Sequence, residues 1–388
     1  MKKIGEIAKI KGGKRLPKGK SVQGDKTEHP YIRVTDFHGG ILDKQSIKYI
    51  DDETYWKVSR YTITDEDIFI SIAGTIGLVG IVPKEYSGAN LTENAAKICC
   101  ISPDVDKHYL AYYLQSPLGQ AEISSRVVGT SQPKLALFRI EDIEIPFPPL
   151  PTQRKIAAIL SAYDDLIENN TRRIKILEEM AQAIYREWFV HFRFPGHEAV
   201  KLVDSGTELG MVPEGWETKR IGDVIELAYG KGLKADNRIE GKYPVYGSGG
   251  IVGSHNNFLV KGPGIIVGRK GNVGSVFWSD EDFFPIDTVF YVKTDICLHY
   301  VFYNLNGQNF INNDAAVPGL SRNQAYLLPF LVPEKKLLEE FQQYVDPVFR
   351  HIKILQIKNE NLQRTRNLLL PKLVSGELDV SELEIPNA

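Results

Sequence analysis

"IPFPPLPTQRKIAAILSAYDDLIENNTRRIKILEEMAQAIYREWF" runs from Ile145 to Phe189. Prolines at 148, 149 and 151 stop regular structure, and a helical pattern follows at once. Counting in sevens from Ile156 gives Ile156, Tyr163, Asn170, Leu177 and Ile184. Four residues after each stand Leu160, Ile167, Ile174, Ala181 and Trp188. This is one apolar stripe at heptad spacing with a single polar residue in it. Arg154, Lys155, Asp164, Asp165, Arg172, Glu178, Glu179 and Arg186 fall on the other face. Thr152 stands where its hydroxyl can cap the first free N–H groups. A helix from Thr152 to Val190 is about 58 Å long, and an apolar stripe of that length needs a partner.

The partner is a second stretch, "LVPEKKLLEEFQQYVDPVFRHIKILQIKNENLQRTRNLLLPKL", Leu331 to Leu373. It carries Phe341, Val348, Leu355, Leu362 and Leu369 at the same spacing, with Val345, Ile352, Asn359 and Arg366 as companions. Pro347 lies inside it and predicts either a kink or a fresh helix start capped by Asp346. Asn170 and Asn359 either fix the register of the pair or lie on its wet edge.

The rest of the chain is also written twice. "IGEIAKIKGGKRL" at Ile4 resembles "IGDVIELAYGKGL" at Ile221. Pro30 in "HPYIRVTD" stands opposite Pro244 in "YPVYGSGG", and Gly74-x-x-Gly77 opposite Gly271-x-x-Gly274. Short β-branched and aromatic runs separated by glycine turns predict antiparallel strands with a few helices, including one over 103–123 and its counterpart over 298–311. The fold class is therefore α+β. Two globular domains related by a pseudo-two-fold axis are joined by a long antiparallel two-helix coiled coil, since a perpendicular two-fold reverses a helix. The expected boundaries are 1–148, 149–192 (central helix), 193–333 (linker and second domain) and 334–388 (C-terminal helix and tail).

Composition narrows the function. The 388 residues hold 43% hydrophobic and 25% charged side chains, an ordinary globular balance. No membrane-length apolar run and no signal-peptide pattern is read. Three cysteines without a CxxC pair argue against disulfides and common zinc sites, and a reducing cytoplasm fits best. "GGKRLPKGKS" at 12–21 misses P-loop spacing, no GxGxxG or GxSxG occurs, and the eight histidines lack metal-ligand spacing. Net charge is −2, yet residues 1–40 hold ten Lys or Arg against four Asp or Glu. Such a local patch, not the mean, governs nucleic-acid binding.

What remains is glycine-rich polar loops at matching places in both halves. Glycine lets a backbone approach phosphate, while Arg and Asn can read guanine and adenine edges. The first half offers Lys14, Arg15, Arg33, Thr35, Asp36, Ser71, Thr75, Ser131, Gln132 and Lys134. The second offers Lys231, Lys234, Tyr246, Ser248, His255, Asn256, Arg269, Lys270, Asn272, Ser321, Arg322 and Asn323. Arg33, Arg269 and Lys270 are expected to contribute most. The alternatives from other classes are a coiled-coil scaffold with duplicated docking domains and an enzyme with an unrecognised site.

The duplicated plan, the Ile145–Phe189 segment, the tail "NLLLPKLVSGELDV" (367–380) and "MVPEGWETKRIGDV" (211–224) together resemble the DNA-specificity subunit of type I restriction–modification enzymes. The resemblance spans nearly the whole chain. It implies two target-recognition domains, each reading one half of an asymmetric split DNA target, with half-sites separated by up to about 17 bp if the helices act as the ruler. It also implies helices that dock two modification (methyltransferase) subunits, with restriction–translocase subunits joining them. S-adenosylmethionine, ATP and Mg would belong to those partners, with no cofactor, metal or catalytic residue on this chain. The second helix departs from the pattern in Pro347 and in its opening "VPEKKLLEEF".

Overall fold

A computed structural model describes residues 1–129, 133–310 and 319–384. They form two compact units, Met1–Asn169 with Asn359–Ala388, and Asn170–Lys358.

Each unit is built on the same four-stranded antiparallel sheet. In the first unit the order is Lys9–Gly12, Ala95–Cys99, Ile68–Ser71, Val79–Ile81. In the second it is Glu226–Tyr229, Val289–Lys293, Gly264–Gly268, Val276–Ser279. Registers match: Gly12 faces Ala96 and Ser71 faces Ala95, as Tyr229 faces Phe290 and Gly268 faces Val289. The parallel pair Pro30–Ile32 and Ala89–Leu91 recurs as Tyr243–Gly247 and Phe284–Pro285. The strands Ile68–Ser71 and Gly264–Gly268 are buried along their whole length, which suits apolar runs covered on both faces. The repeat seen in the sequence is therefore a repeat of topology.

Local chemistry refines several expected elements. The helix expected over 103–123 is two helices, Lys107–Gln115 and Pro117–Ser125. They break at Ser116, which is fully buried and accepts from the Gly119 N–H at 3.2 Å, with Pro117 in the first turn. The stretch read as a linker holds a hairpin, Leu202–Asp204 with Met211–Pro213.

The first long helix spans Leu150–Tyr185 and ends in a π-helical turn, Arg186–Val190. It begins two residues before Thr152, whose own N–H already bonds Pro149 O at 2.9 Å. Thr152 is therefore inside the first turn, not its cap. The anchoring side chain is Gln153, which is fully buried. Its amide donates to Pro148 O and Asp104 O and accepts from the Asp106 N–H, tying the helix start to the cap of Lys107–Gln115. The second long helix runs unbroken over Lys335–Ser375. Pro347 starts no new helix, because proline deprives only the carbonyl one turn earlier and Gln343 there is exposed to water. Asp346 is accordingly no cap; it accepts from the Gln342 amide and faces His299 Nδ1 at 3.2 Å.

Within each unit the two helices pack antiparallel. In the first, Arg366 bonds Asp164, and Asn359 donates to Ile167 O at 3.5 Å. In the second, Phe341 packs on Phe189 at 4.9 Å and on Trp188 at 5.9 Å, while Arg173 meets His351 at 3.4 Å. The stripe is buried at Ile156, Leu160, Ile167, Ala181, Trp188, Phe341, Val345, Val348, Ile352 and Leu355. Tyr163, Ile174, Leu177, Ile184, Leu362 and Leu369 are half-buried. Asn170 is buried among them, and Arg366 is tolerated in the stripe because Asp164 pairs with it. Asp164, expected on the outer charged face, is instead turned to the partner helix, and the Tyr112 hydroxyl also donates to it, at 2.6 Å.

Two histidines hold corresponding places at the sheet–helix joints, His108 and His299. His299 lies between Trp278 (4.6 Å) and Phe349 (4.1 Å), and its Nε2 is buried without a partner. Burial holds both imidazoles below their usual range, against the opposing pull of nearby carboxylates.

Candidate nucleic-acid interface

Strand direction decides where the polar loops go. In an antiparallel sheet, the C-terminal ends of one strand lie beside the N-terminal ends of its neighbours. The segments after Gly12 and Ser71 and those before Val79 and Ala95 therefore leave one end of the first sheet. The segments after Tyr229 and Gly268 and before Val276 and Val289 do the same in the second.

Backbone bonds fasten these loops together in the same way twice. Lys14 N–H donates to Leu91 O at 2.9 Å, as Lys231 N–H does to Pro285 O at 3.0 Å. Ala73 bridges to Lys134, as Lys270 does to Gly319. Leu135 N–H reaches Ile72 O at 3.0 Å, as Leu320 N–H reaches Arg269 O at 2.8 Å. The turns 71–78 and 268–275 depend on glycine: Gly74, Gly77, Gly271 and Gly274 all have φ between 75° and 86°. A Cβ at Gly274 would also come within 2.8 Å of Phe310.

Lys14, Arg15, Thr75 and Lys134 are thus gathered, exposed, at the loop end of the first unit. Lys231, Ser248, Arg269, Lys270, Asn272, Arg322 and Asn323 are gathered at that of the second. Ser248 joins them because its carbonyl accepts from the Ser275 hydroxyl at 2.7 Å, docking the hairpin turn on the 268–275 loop. Thr35 is exposed in the turn that follows the strand Pro30–Ile32, and Lys234 is exposed three residues beyond Lys231. His255 and Asn256 stand at the opposite end of the hairpin, where His255 Nδ1 accepts from the Ile239 N–H. Ser321 caps the helix Arg322–Leu327. Ser131 and Gln132 lie outside the described residues.

Four expected contact residues are used internally instead. Asp36 is fully buried, and Ser71 is too. The Ser71 hydroxyl donates to Thr75 O at 2.6 Å and accepts from the Leu78 N–H, closing its own turn. Tyr246 is 6% exposed, in the core against Phe283, its hydroxyl on Trp278 O at 3.3 Å. Arg33 is clamped on Asp36 by two guanidinium contacts, at 2.5 and 3.2 Å, and also donates to Ser46 O at 2.9 Å. A guanidinium so engaged orders a turn and has little left to offer a ligand. Arg15 pairs with Glu93 at 2.7 Å but is 80% exposed, so this link is weak and readily exchanged.

One residue that pattern reading passed over is Tyr229. It is 49% exposed at the end of its strand, with Arg269 and Arg322 carbons 4.9 and 4.8 Å from its ring centre. The available signal was an aromatic immediately before the Gly230-Lys231 turn.

One sheet frame, built twice, with cationic and polar side chains fastened at the same end of each copy, defines a duplicated binding protein whose ligand is polyanionic. The type I restriction modification DNA specificity domain matches residues 1–179 and 213–364, and the chain belongs to that family. Specificity subunits are the non-catalytic, DNA-target-recognising members of type I restriction systems. The chain is 26% identical to the type I restriction enzyme MjaIX specificity subunit of Methanocaldococcus jannaschii, over 98% of this chain and 96% of that protein. It is also 26% identical to the EcoBI specificity subunit of Escherichia coli, over 41% of this chain and 34% of that one. A crystal structure of the type I S subunit from M. genitalium shares the fold, with a TM-score of 0.58 over 96% of this chain and 95% of that one at 18% identity. Among the described residues no helix is long and apolar enough to cross a membrane.

Proposed function

We propose that each unit reads its own half of a bipartite, asymmetric DNA target through the loop end of its four-stranded sheet, and that the long helices dock two modification subunits. The observation that carries this reading is the twice-built loop end, where the frame repeats but the side chains differ. Lysines at 14, 134, 231 and 270 suit phosphates, and Asn272, Asn323 and Thr75 suit base edges. Support for docking comes from apolar side chains on the outer faces of the helices: Leu166, Ile176, Met180, Ile354, Ile357 and Leu368 are 43–61% exposed. S-adenosylmethionine and the pocket for an extruded adenine belong to the modification subunits in this proposal, and ATP and Mg to restriction subunits. This chain supplies selection and no chemistry.

The test is co-expression with the modification subunits and sequencing of methylated adenines in the host DNA. A split motif with two unlike halves is the expected result. Absence of any sequence-specific methylation, with no salt-dependent binding of DNA by the complex, would overturn the reading and favour a scaffold.

A further inference from the structure

The corresponding positions in the two loop ends can be compared atom by atom, because register and backbone bonds align them. Tyr229 in the second unit corresponds to Gly12 in the first, since each faces the second residue of its neighbouring strand, Phe290 and Ala96. Arg269 corresponds to Ile72, whose carbonyls accept from Leu320 and Leu135. Arg322 corresponds to Leu137, two residues beyond those leucines. In the first unit this trio is apolar and closed: Ile72 and Leu137 pack on the core, and a Cβ at Gly12 would touch Leu137 at 3.6 Å. In the second the trio is an exposed aromatic ring with two cations on it.

Two guanidinium groups on one ring repel each other, so the arrangement costs free energy unless something balances it. Among the described residues no carboxylate lies within salt-bridge reach of either arginine. Among the same residues the Arg269 guanidinium makes one hydrogen bond, from Nη1 to Asp287 O at 2.9 Å. Arg322 Nε is buried without a partner. Contact with the Tyr229 ring fixes where both groups lie, a positioning that a phosphate, satisfied by the flanking Lys231 and Lys270, does not require. A guanine edge does require it, since O6 and N7 accept two parallel bonds from one planar guanidinium.

We infer that Tyr229, Arg269 and Arg322 form a guanine-reading cluster, so that the half-site of the second unit contains guanine at the position these arginines face. Arg322 is the reader; Tyr229 is a positioning residue that acts through the two arginines. This rests on the proposed bipartite reading. The apolar trio of the first unit cannot make such a contact.

The experiment uses the complex with its modification subunits, comparing adenine-methylation motifs and duplex binding for wild type, Arg322→Ala, Arg322→Lys, Tyr229→Ala and Tyr229→Phe. Arg322→Ala is expected to relax one guanine in one half-site by about ten- to a hundredfold, leaving the other half unchanged. Arg322→Lys should restore affinity without full discrimination, because a point charge lacks the fork. Tyr229→Phe should retain the motif, while Tyr229→Ala loses discrimination at that same base. Equal weakening on all sequences would make the arginines phosphate contacts and overturn the inference. A wild-type split motif with no G·C pair in the half read by the second unit, or an unaltered motif in Arg322→Ala, would also overturn it while leaving the bipartite reading standing. A wild-type complex with no sequence preference would instead sink that reading.

Discussion

The two units share strand order, register and loop fastening, yet they fill the same positions with opposite chemistry. Where the second long helix meets its unit, the contact is a cluster of edge-on and tilted rings: Phe341, Phe189, Trp188 and Tyr300. Where the first meets its own, Ile156 and Leu160 join the apolar core and Tyr112, Asp164 and Arg366 add one chain of polar bonds beside it. The loop ends differ likewise, with lysines and a closed apolar trio in one and paired arginines in the other. A duplicated frame tolerates this because its geometry is held by strand pairing and glycine turns. The side chains that face ligand or helix are then free to diverge.

The joints give the largest test of the comparison. Phe341→Ala should cost about 3–5 kcal/mol, since a fully buried ring leaves a cavity among other rings. Chemical denaturation should show that loss in the second unit's tryptophan signal, because Trp188, Trp216 and Trp278 all lie there and the first unit's only tryptophan, Trp56, is 74% exposed. A loss shared equally by probes of both units would mean the joints are not separate.

Asp164→Ala comes next, at about 1–3 kcal/mol, because it strands Arg366 and the Tyr112 hydroxyl with little access to water. The double variant with Arg366→Leu should recover part of the loss. No recovery would show that the pair is not the origin of the effect.

At the loop ends, Lys134→Ala and Lys270→Ala should each weaken DNA binding by the complex on all sequences alike. Each should reduce the slope of log affinity against log salt by about 1. Arg33→Ala should leave that slope unchanged, since its guanidinium is already held by Asp36 and Ser46 O.

The smallest expected effect is a pH dependence. Burial holds His108 and His299 both below the ordinary imidazole value of 6.5. The unfolded chain therefore binds their protons more readily, so their contribution to stability is full above about pH 6.5 and is lost as pH falls from there through the depressed folded-state values. Thermal unfolding at pH 7.5 and 5.5 should show less acid destabilisation in His299→Gln than in His108→Gln. The reason is that His299 is the histidine whose Nε2 has no acceptor for a second proton. Equal behaviour would remove this distinction between the joints.

How much of this was legible in the sequence follows from the range of each cause. Gly74-x-x-Gly77 and Gly271-x-x-Gly274 were readable because left-handed turns demand glycine locally. The long helices were readable because heptad spacing is local too. The burial of Asp36, Ser71 and Tyr246 was not, because a polar residue in a loop motif looks alike whether its partner is a ligand or its own turn. Gln153 displaced Thr152 at the helix start because its partners, Asp104 and Asp106, come from a distant segment. Pro347 looked like a break, but packing on both sides of it carries the helix through. Tyr229 became visible only when Arg269 and Arg322, 40 and 93 residues further on, were seen to meet it.

The first unit is completed by residues 359 onward, with Leu370, Leu373, Val374 and Val380 in the same core as Ile4 and Ile98. The second unit is one continuous stretch. During synthesis the order of completion is therefore the reverse of the order of translation. The half that leaves the ribosome first must wait, with its core open beside Ile156 and Leu160, until all of the other half has been made. Premature termination past residue 358 would spare the later-made unit and leave the earlier one unfinished.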